Sequence, residues 1–154
     1  MNPILTKGLS VIALSMVPVI ELRGAIPLGI SLGLSYRMTL TLAVIGNMIP
    51  VPFIVLFVRH LIAWLRKHPG KLSALGDRIE IRAHSKAVLI HRYALLGLFI
   101  LVAIPLPGTG AWTGALVAAL LNLHLTHALP VIFLGVLTAG MIMLMISYGV
   151  GSIL

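Results

Sequence analysis

The chain has 154 residues, of which 60% are hydrophobic and 9% charged, with a net charge of +8 and no cysteine. A mean hydropathy of +1.15 excludes an ordinary soluble domain and indicates an integral membrane protein, a single helical domain over residues 1–154. The basic excess reads as topology and contact with anionic membrane lipids rather than nucleic acid, and the missing thiols exclude disulfides, thiolate metal sites and thiol catalysis.

From the N-terminus, Gly8–Ile20 and Gly24–Tyr36 are uncharged runs of 13 residues, separated by Glu21, Leu22 and Arg23 and flanked by Pro18 and Pro27. Each run makes a helix of about 20 Å, little more than half a membrane. Lys7, a short apolar run and the small pair Gly24–Ala25 imitate a secretory signal, but Pro18, Glu21 and Arg23 argue against cleavage there. Met38–Val58 is simpler: 21 uncharged residues, enough to span, with Tyr36 and Trp64 placed as interfacial anchors.

Eight of the eleven Lys and Arg residues fall between Arg59 and Arg92, which assigns a connector at about 63–92 to the cytoplasmic side. Within it Leu72, Leu75, Ile79, Ala83, Ala87 and Ile90 recur at helical spacing opposite Arg78, Arg82, Ser85 and Lys86. That pattern suits an interfacial amphipathic helix or a solvated connector. Tyr93–Leu123 is interrupted by PLPGTG (Pro105 to Gly110), whose prolines and glycines do not sustain a helix. Ala128–Leu154 is a second plain span.

The plan of interrupted segment then plain span therefore occurs twice, at about 4–62 and 93–154. Sliding the chain by 87 positions places Pro18 on Pro105, Glu21 on Gly108, Thr39 on Thr126 and Val44–Ile45 on Val131–Ile132. The expected fold is an all-α membrane protein of two repeats, each an interrupted helical segment followed by a transmembrane helix. Re-entrant hairpins, which the run lengths favour, give inverted repeats whose tips meet at the midplane. Broken spanning helices, which Lys7 favours, give parallel repeats.

Glu21 is the only acid in any hydrophobic segment, and a charge at that depth costs roughly 2.5 to 3.5 kcal/mol. It reads either as a proton-binding carboxylate or cation-orienting group, or as half of a structural pair with Arg23. Arg23 is a permanent cation suited to a phosphate or carboxylate. Half-helices starting near Gly24 and Ala111 add N–H groups at the same point. The second break contributes amides at Gly108 and Gly110, hydroxyls of Thr109 and Thr113, and the Trp112 ring. Pro18, Pro27, Pro105 and Pro107 hold the backbone open. The six histidines are scattered and make no metal site, Ser147 has no His–acid company, and GTG lacks a following Gly-Lys-Ser/Thr, so neither metal, cofactor nor catalysis is expected. The small-residue face of GALVAAL (Gly114 to Leu120) suits helix contact and a homodimer.

Through ELRGAIPLGI (Glu21 to Ile30) and IPLPGTGAWTGALVAAL (Ile104 to Leu120), the chain resembles the small multidrug export family of prokaryotic membrane proteins. That resemblance implies an exporter of small compounds in the cytoplasmic membrane. More distantly it is similar to the DedA superfamily, where an acidic and an arginine-bearing Pro-rich hairpin face each other and the implied activity is translocation of polyprenyl phosphate lipids, sometimes proton-coupled. Here only Glu21 matches the acidic hairpin; the second break holds no arginine, and Arg23 lies in the first. The expectation is a transporter of an amphiphile with an anionic head, contacted by Glu21, Arg23, Pro27, Gly108, Thr109, Gly110, Trp112 and Thr113. The alternatives are a proton-coupled exporter of cationic drugs and a membrane scaffold.

Overall fold

The computed structural model describes residues 3–67, 87–106 and 108–151, all of whose regular structure is helical. In chain order the helices are α1 (Pro3–Met16), α2 (Glu21–Ser31), α3 (Tyr36–Met48), α4 (Pro50–Lys67), α5 (Ala87–Ala103), α6 (Ala111–Leu120) and α7 (Leu125–Gly151). The expected amphipathic helix of the basic connector, apart from its last positions Ala87 and Ile90 at the start of α5, lies outside the described residues, as does Pro107.

Both plain spans are present. Tyr36–Trp64 and Leu125–Gly149 are long and apolar enough to cross a membrane. The first carries an irregularity that the uncharged run hides. Pro50 has no N–H to offer the Gly46 carbonyl, so regular helix is interrupted at Ile49 and the span divides into α3 and α4.

Each interrupted segment folds back on itself. A Cβ built on Gly24 meets the Leu14 side chain at 3.7 Å, and one on Gly29 meets Val11 at 3.1 Å, so α1 and α2 run antiparallel. Likewise Gly114 of α6 faces Val102 and, at 3.6 Å, Leu98 of α5. The first reversal occupies Val17 to Ile20, and Glu21 is already the first residue of α2. This corrects the sequence expectation, which put the break at Glu21–Arg23 and the half-helix start near Gly24. The reversal is made in so few residues because Val19 (φ 76°) and Glu21 (φ 46°) adopt left-handed backbone, strained for a β-branched valine. Pro27 does not flank a break either: α2 runs through it, forgoing one backbone bond. The second reversal falls at 104–110 as expected, with Gly108 (φ 86°) and Gly110 (φ 135°) supplying the positive φ values.

α2 and α6 end alike. Gly33 and Asn122 take positive φ, Leu34 N–H returns to the Gly29 carbonyl at 3.1 Å, and Leu123 N–H returns to Ala118 at 3.0 Å. These are Schellman ends, with Leu34 and Leu123 tucked inward. Ser35 then caps α3 through its side chain, accepting from Met38 N–H. The two long spans lie antiparallel: the Tyr36 and Tyr148 rings meet edge to face at 5.7 Å at one end, and Arg59 donates to Asn122 Oδ1 at 2.7 Å at the other. α1 and α2 pack on α3, α5 and α6 on α7, while α2 also reaches α7 and α6 reaches α4.

The packing is that of a membrane bundle, with small residues inside and large ones out. Ala25, Ala43, Ala111, Ala115, Ala118 and Ala128 are fully buried, whereas Phe53, Phe57 and Met145 are about two-thirds exposed or more (69%, 67% and 73%). The small face of GALVAAL is spent within this bundle: Gly114, Ala115, Ala118 and Ala119 are buried. Gly46 allows α1 and α3 to touch, because a Cβ there falls 2.6 Å from the Ile12 carbonyl oxygen. Gly97 faces open space. Gly46→Ala is expected to lower the unfolding temperature of the purified protein, at a cost of about 1–3 kcal/mol, while Gly97→Ala leaves it unchanged or raised. Tryptophan fluorescence during heating checks both, and equal behaviour of the two variants contradicts this packing.

Candidate functional site

Helix α6 begins without a side-chain cap of its own. Its N-cap is Gly110, at φ 135°, where no L side chain sits comfortably. The cap comes from the other hairpin. Glu21, 5% exposed, accepts from the Trp112 N–H at 3.2 Å through Oε1 and faces the Ala111 amide beside it. A carboxylate at a helix N-terminus is favoured both by the free N–H groups and by the helix dipole. Gly110 is also a spatial requirement, since a Cβ there collides with the Glu21 carboxyl group.

Arg23, half-buried, donates from Nη2 to the Thr109 carbonyl at 2.5 Å and to Thr109 Oγ1 at 3.1 Å. The Thr109 hydroxyl lies 2.7 Å from the Ile104 carbonyl and 2.8 Å from that of Leu106, and accepts from Leu106 N–H at 3.1 Å. It thereby closes the end of α5. Trp112 Nε1 completes the connection by donating to the Met16 carbonyl at 3.2 Å, at the end of α1. The hairpins are thus joined tip to tip by three sets of bonds. Glu21 and Arg23 hydrogen-bond to the opposite hairpin while their charges still act on each other.

Other site residues expected from the sequence divide by position. Thr113 donates its hydroxyl to the Gly108 carbonyl at 2.8 Å, locking the α5–α6 reversal. Gly108 is exposed at the turn, Pro18 is exposed in the first reversal, and Pro27 is exposed on α2 away from the tips. Pro105 and Gly110 help line a small, partly enclosed cavity with Glu21 and Arg23.

One lining residue has no counterpart in the sequence reading. Asn47 on α3 is fully buried, and neither its Oδ1 nor its Nδ2 is in a well-formed hydrogen bond, the Glu21 carboxyl being the polar group that its side chain approaches. It lies beside Glu21 and lines the same cavity. Its signal was available, since it is the one amide side chain in the run Met38–Val58. Counting charges passes over it. Asn47 follows Tyr36 by eleven residues, about 16 Å along the helix and close to half the apolar thickness. The cavity also touches Val136, at the matching depth of α7.

Apolar spans of crossing length, lipid-sized side chains outward and polar groups gathered at mid-depth define an all-helical integral membrane protein. The chain belongs to the family described as "Putative small multi-drug export protein", whose model matches residues 21–142, from Glu21 at one hairpin tip through most of α7. No curated protein and no solved structure matches it. Exporters are not an enzyme class, and among the described residues no cluster of three metal-ligating side chains occurs.

Capping of α6 by Glu21 is expected to contribute about 0.5–2 kcal/mol. Glu21→Ala should lower the unfolding temperature, whereas Glu21→Gln, which keeps an acceptor oxygen, should retain most of it; thermal melts of both variants check the order, and the reverse order excludes capping.

Proposed function

We propose that the chain carries an amphiphile with an anionic head across the prokaryotic cytoplasmic membrane through the polar node between its hairpin tips. The observation that carries this reading is Arg23. Its guanidinium is held at the node by Thr109 through Nη2, and among the described residues no bond from Nε or Nη1 occurs, so those donors can meet a phosphate or carboxylate. A polyprenyl phosphate fits this head chemistry, and the lipid-facing surface around the tips suits its tail. Glu21 is the proton-responsive candidate, and Gly108, Thr109, Gly110, Trp112 and Thr113 form the facing wall.

In this proposal the hairpins are re-entrant and the halves are inverted repeats. Support comes from the antiparallel spans, the tip-to-tip contact at mid-depth and the like ends of α2 and α6, which align Gly33 with Asn122 and Gly46 with Gly135, two positions beyond the sequence offset. Gly135 and Gly46 do the same work, admitting the backbone of α5 and of α1 respectively. Alternating access follows from hinging at the reversals 17–20 and 104–110. The basic connector at about 63–92 is cytoplasmic, and a homodimer forms through the lipid-facing surface.

A second reading, export of cationic drugs, is favoured by one observation: the Glu21 carboxyl hydrogen-bonds to the Trp112 amide and not to Arg23. The cavity at Glu21 and Arg23 leaves only about 10 Å³ to the centre of a water-sized group, so a drug cation and a phosphate head alike enter only when the hairpin tips part.

Two measurements test these proposals. Reconstituted in liposomes, the protein is expected to move a short-chain polyprenyl phosphate between leaflets. Arg23→Gln should abolish this at normal protein yield; movement of cationic dyes instead, independent of Arg23, selects the second reading. Because the chain has no cysteine, single cysteines report sidedness. Cysteines at Arg37 and His124, both exposed, should label from the outside and the cytoplasm respectively, and labelling from the same side rejects the inverted arrangement.

A further inference from the structure

Asn47 is the group that capping of α6 and holding of Thr109 leave unexplained. A primary amide fully enclosed at this depth, approached by the Glu21 carboxyl but with neither its oxygen nor its nitrogen in a well-formed hydrogen bond, is costly to bury. Such a residue is retained where something absent from the protein itself completes it. It faces a cavity whose free volume, about 10 Å³ for the centre of a water-sized group, admits one small occupant. Among the lining residues Glu21 and Arg23 are the charged ones, and Arg23 Nη2 is committed to Thr109. The remaining lining from α5 and α7 is apolar or proline.

The chemistry available to an occupant is therefore oxygen: the Glu21 carboxylate and the Asn47 carbamoyl oxygen. Hard cations take such ligands, and among the described residues no group of three His, Cys, Asp or Glu side chains is present to build a divalent site. With Glu21 ionised, charge balance is met by the same occupant. Glu21 and Arg23 already sum to zero, so an anionic head brought to Arg23 leaves the node net negative, at a depth where each uncompensated charge costs several kcal/mol. Water at Asn47 satisfies the amide but not the charge.

We propose that Glu21 and Asn47 form a binding site for one monovalent cation of about the size of water, sodium being the metal ion that fits, and that this ion is carried with the anionic substrate. The ion sits between Glu21 and the head held by Arg23, its open coordination positions taken by water or by the substrate's own oxygens. The Asn47 Nδ2 turns to Glu21 once its oxygen is engaged. The inference rests on the anionic-amphiphile reading for its coupling role; the site itself stands on Asn47, Glu21 and the cavity.

The test is binding of radioactive sodium, and thermal stability in sodium, potassium or choline chloride at equal ionic strength, using the full-length protein in detergent. Sodium is expected to bind saturably, near one ion per chain, and to raise the unfolding temperature above that in potassium or choline. Asn47→Ala should raise the sodium concentration for half-saturation by about tenfold or more. Asn47→Leu, which removes the unsatisfied amide, should melt in choline at or above the native temperature and lose the sodium response, so that lost binding is not mistaken for lost folding. Equal melting in all three salts, a response unchanged in Asn47→Leu, or stabilisation by lower pH alone overturns the ion site. Sodium binding that persists when no lipid phosphate is bound or moved overturns the substrate reading and leaves the ion site standing. Lipid phosphate binding without sodium binding overturns the ion site alone.

Discussion

Backbone that leaves helical geometry inside a membrane has no water to bond with, so each exposed N–H and C=O must find a partner within the protein. Everything at the centre of this molecule follows from that constraint. Two helices end and two begin around the hairpin tips, and the residues that close them are borrowed across the interface. Glu21 on one hairpin serves the amides that open α6 on the other. Arg23 serves the Thr109 carbonyl, and Trp112 returns a donor to Met16 at the end of α1. Neither tip is complete alone. The charged residues that composition makes so conspicuous are thus parts of one reciprocal capping arrangement before they are anything else.

Close approach of the helices makes that arrangement possible. In lipid the hydrophobic effect does little to bring helices together, and contact depends on small residues that let backbones meet. Gly46 admits the backbone of α1, Gly135 that of α5, and Gly140 the Leu40 side chain of α3 against α7. The buried alanines of α6 perform the same service between α4, α5 and α7. Ser15 bonds to the Ala43 carbonyl at 2.5 Å, fixing α1 on α3 just below the first reversal. The result holds the two tips in register at the depth of Asn47 and Val136.

A node built this way is tight and charged, and its chemistry is asymmetric. The arginine has spare donors, the carboxylate is engaged by backbone amides, and a buried amide lacks a well-formed hydrogen bond. This inventory is the basis on which an anionic guest at Arg23 and a small cation at Glu21 and Asn47 are proposed. The strained backbone at Val19 and Glu21 lies directly beside the node. Strain of that kind persists where the surroundings over-determine it, and it is released when they move.

Membrane residence, the two spans and the break at PLPGTG were legible in the sequence because each depends on local chemistry: apolar length, proline without a donor, glycine at positive φ. The first break was misplaced because charge was read as the interruption, whereas Glu21 is accommodated at a helix start by amides from a segment some ninety residues away. Run length and breaker residues do not say which segments touch, and the contacts of Leu14 with Gly24 and of Val11 with Gly29 become visible only in the packed chain. Asn47 escaped notice for a related reason. A neutral amide in an apolar run carries no charge signal, and its lack of a well-formed hydrogen bond is a property of the packed neighbours rather than of the chain. Sequence alone determined which segments can exist in a membrane; tertiary structure decided which polar groups meet, because hydrogen-bond partners are set by where helices pack and not by their spacing along the chain.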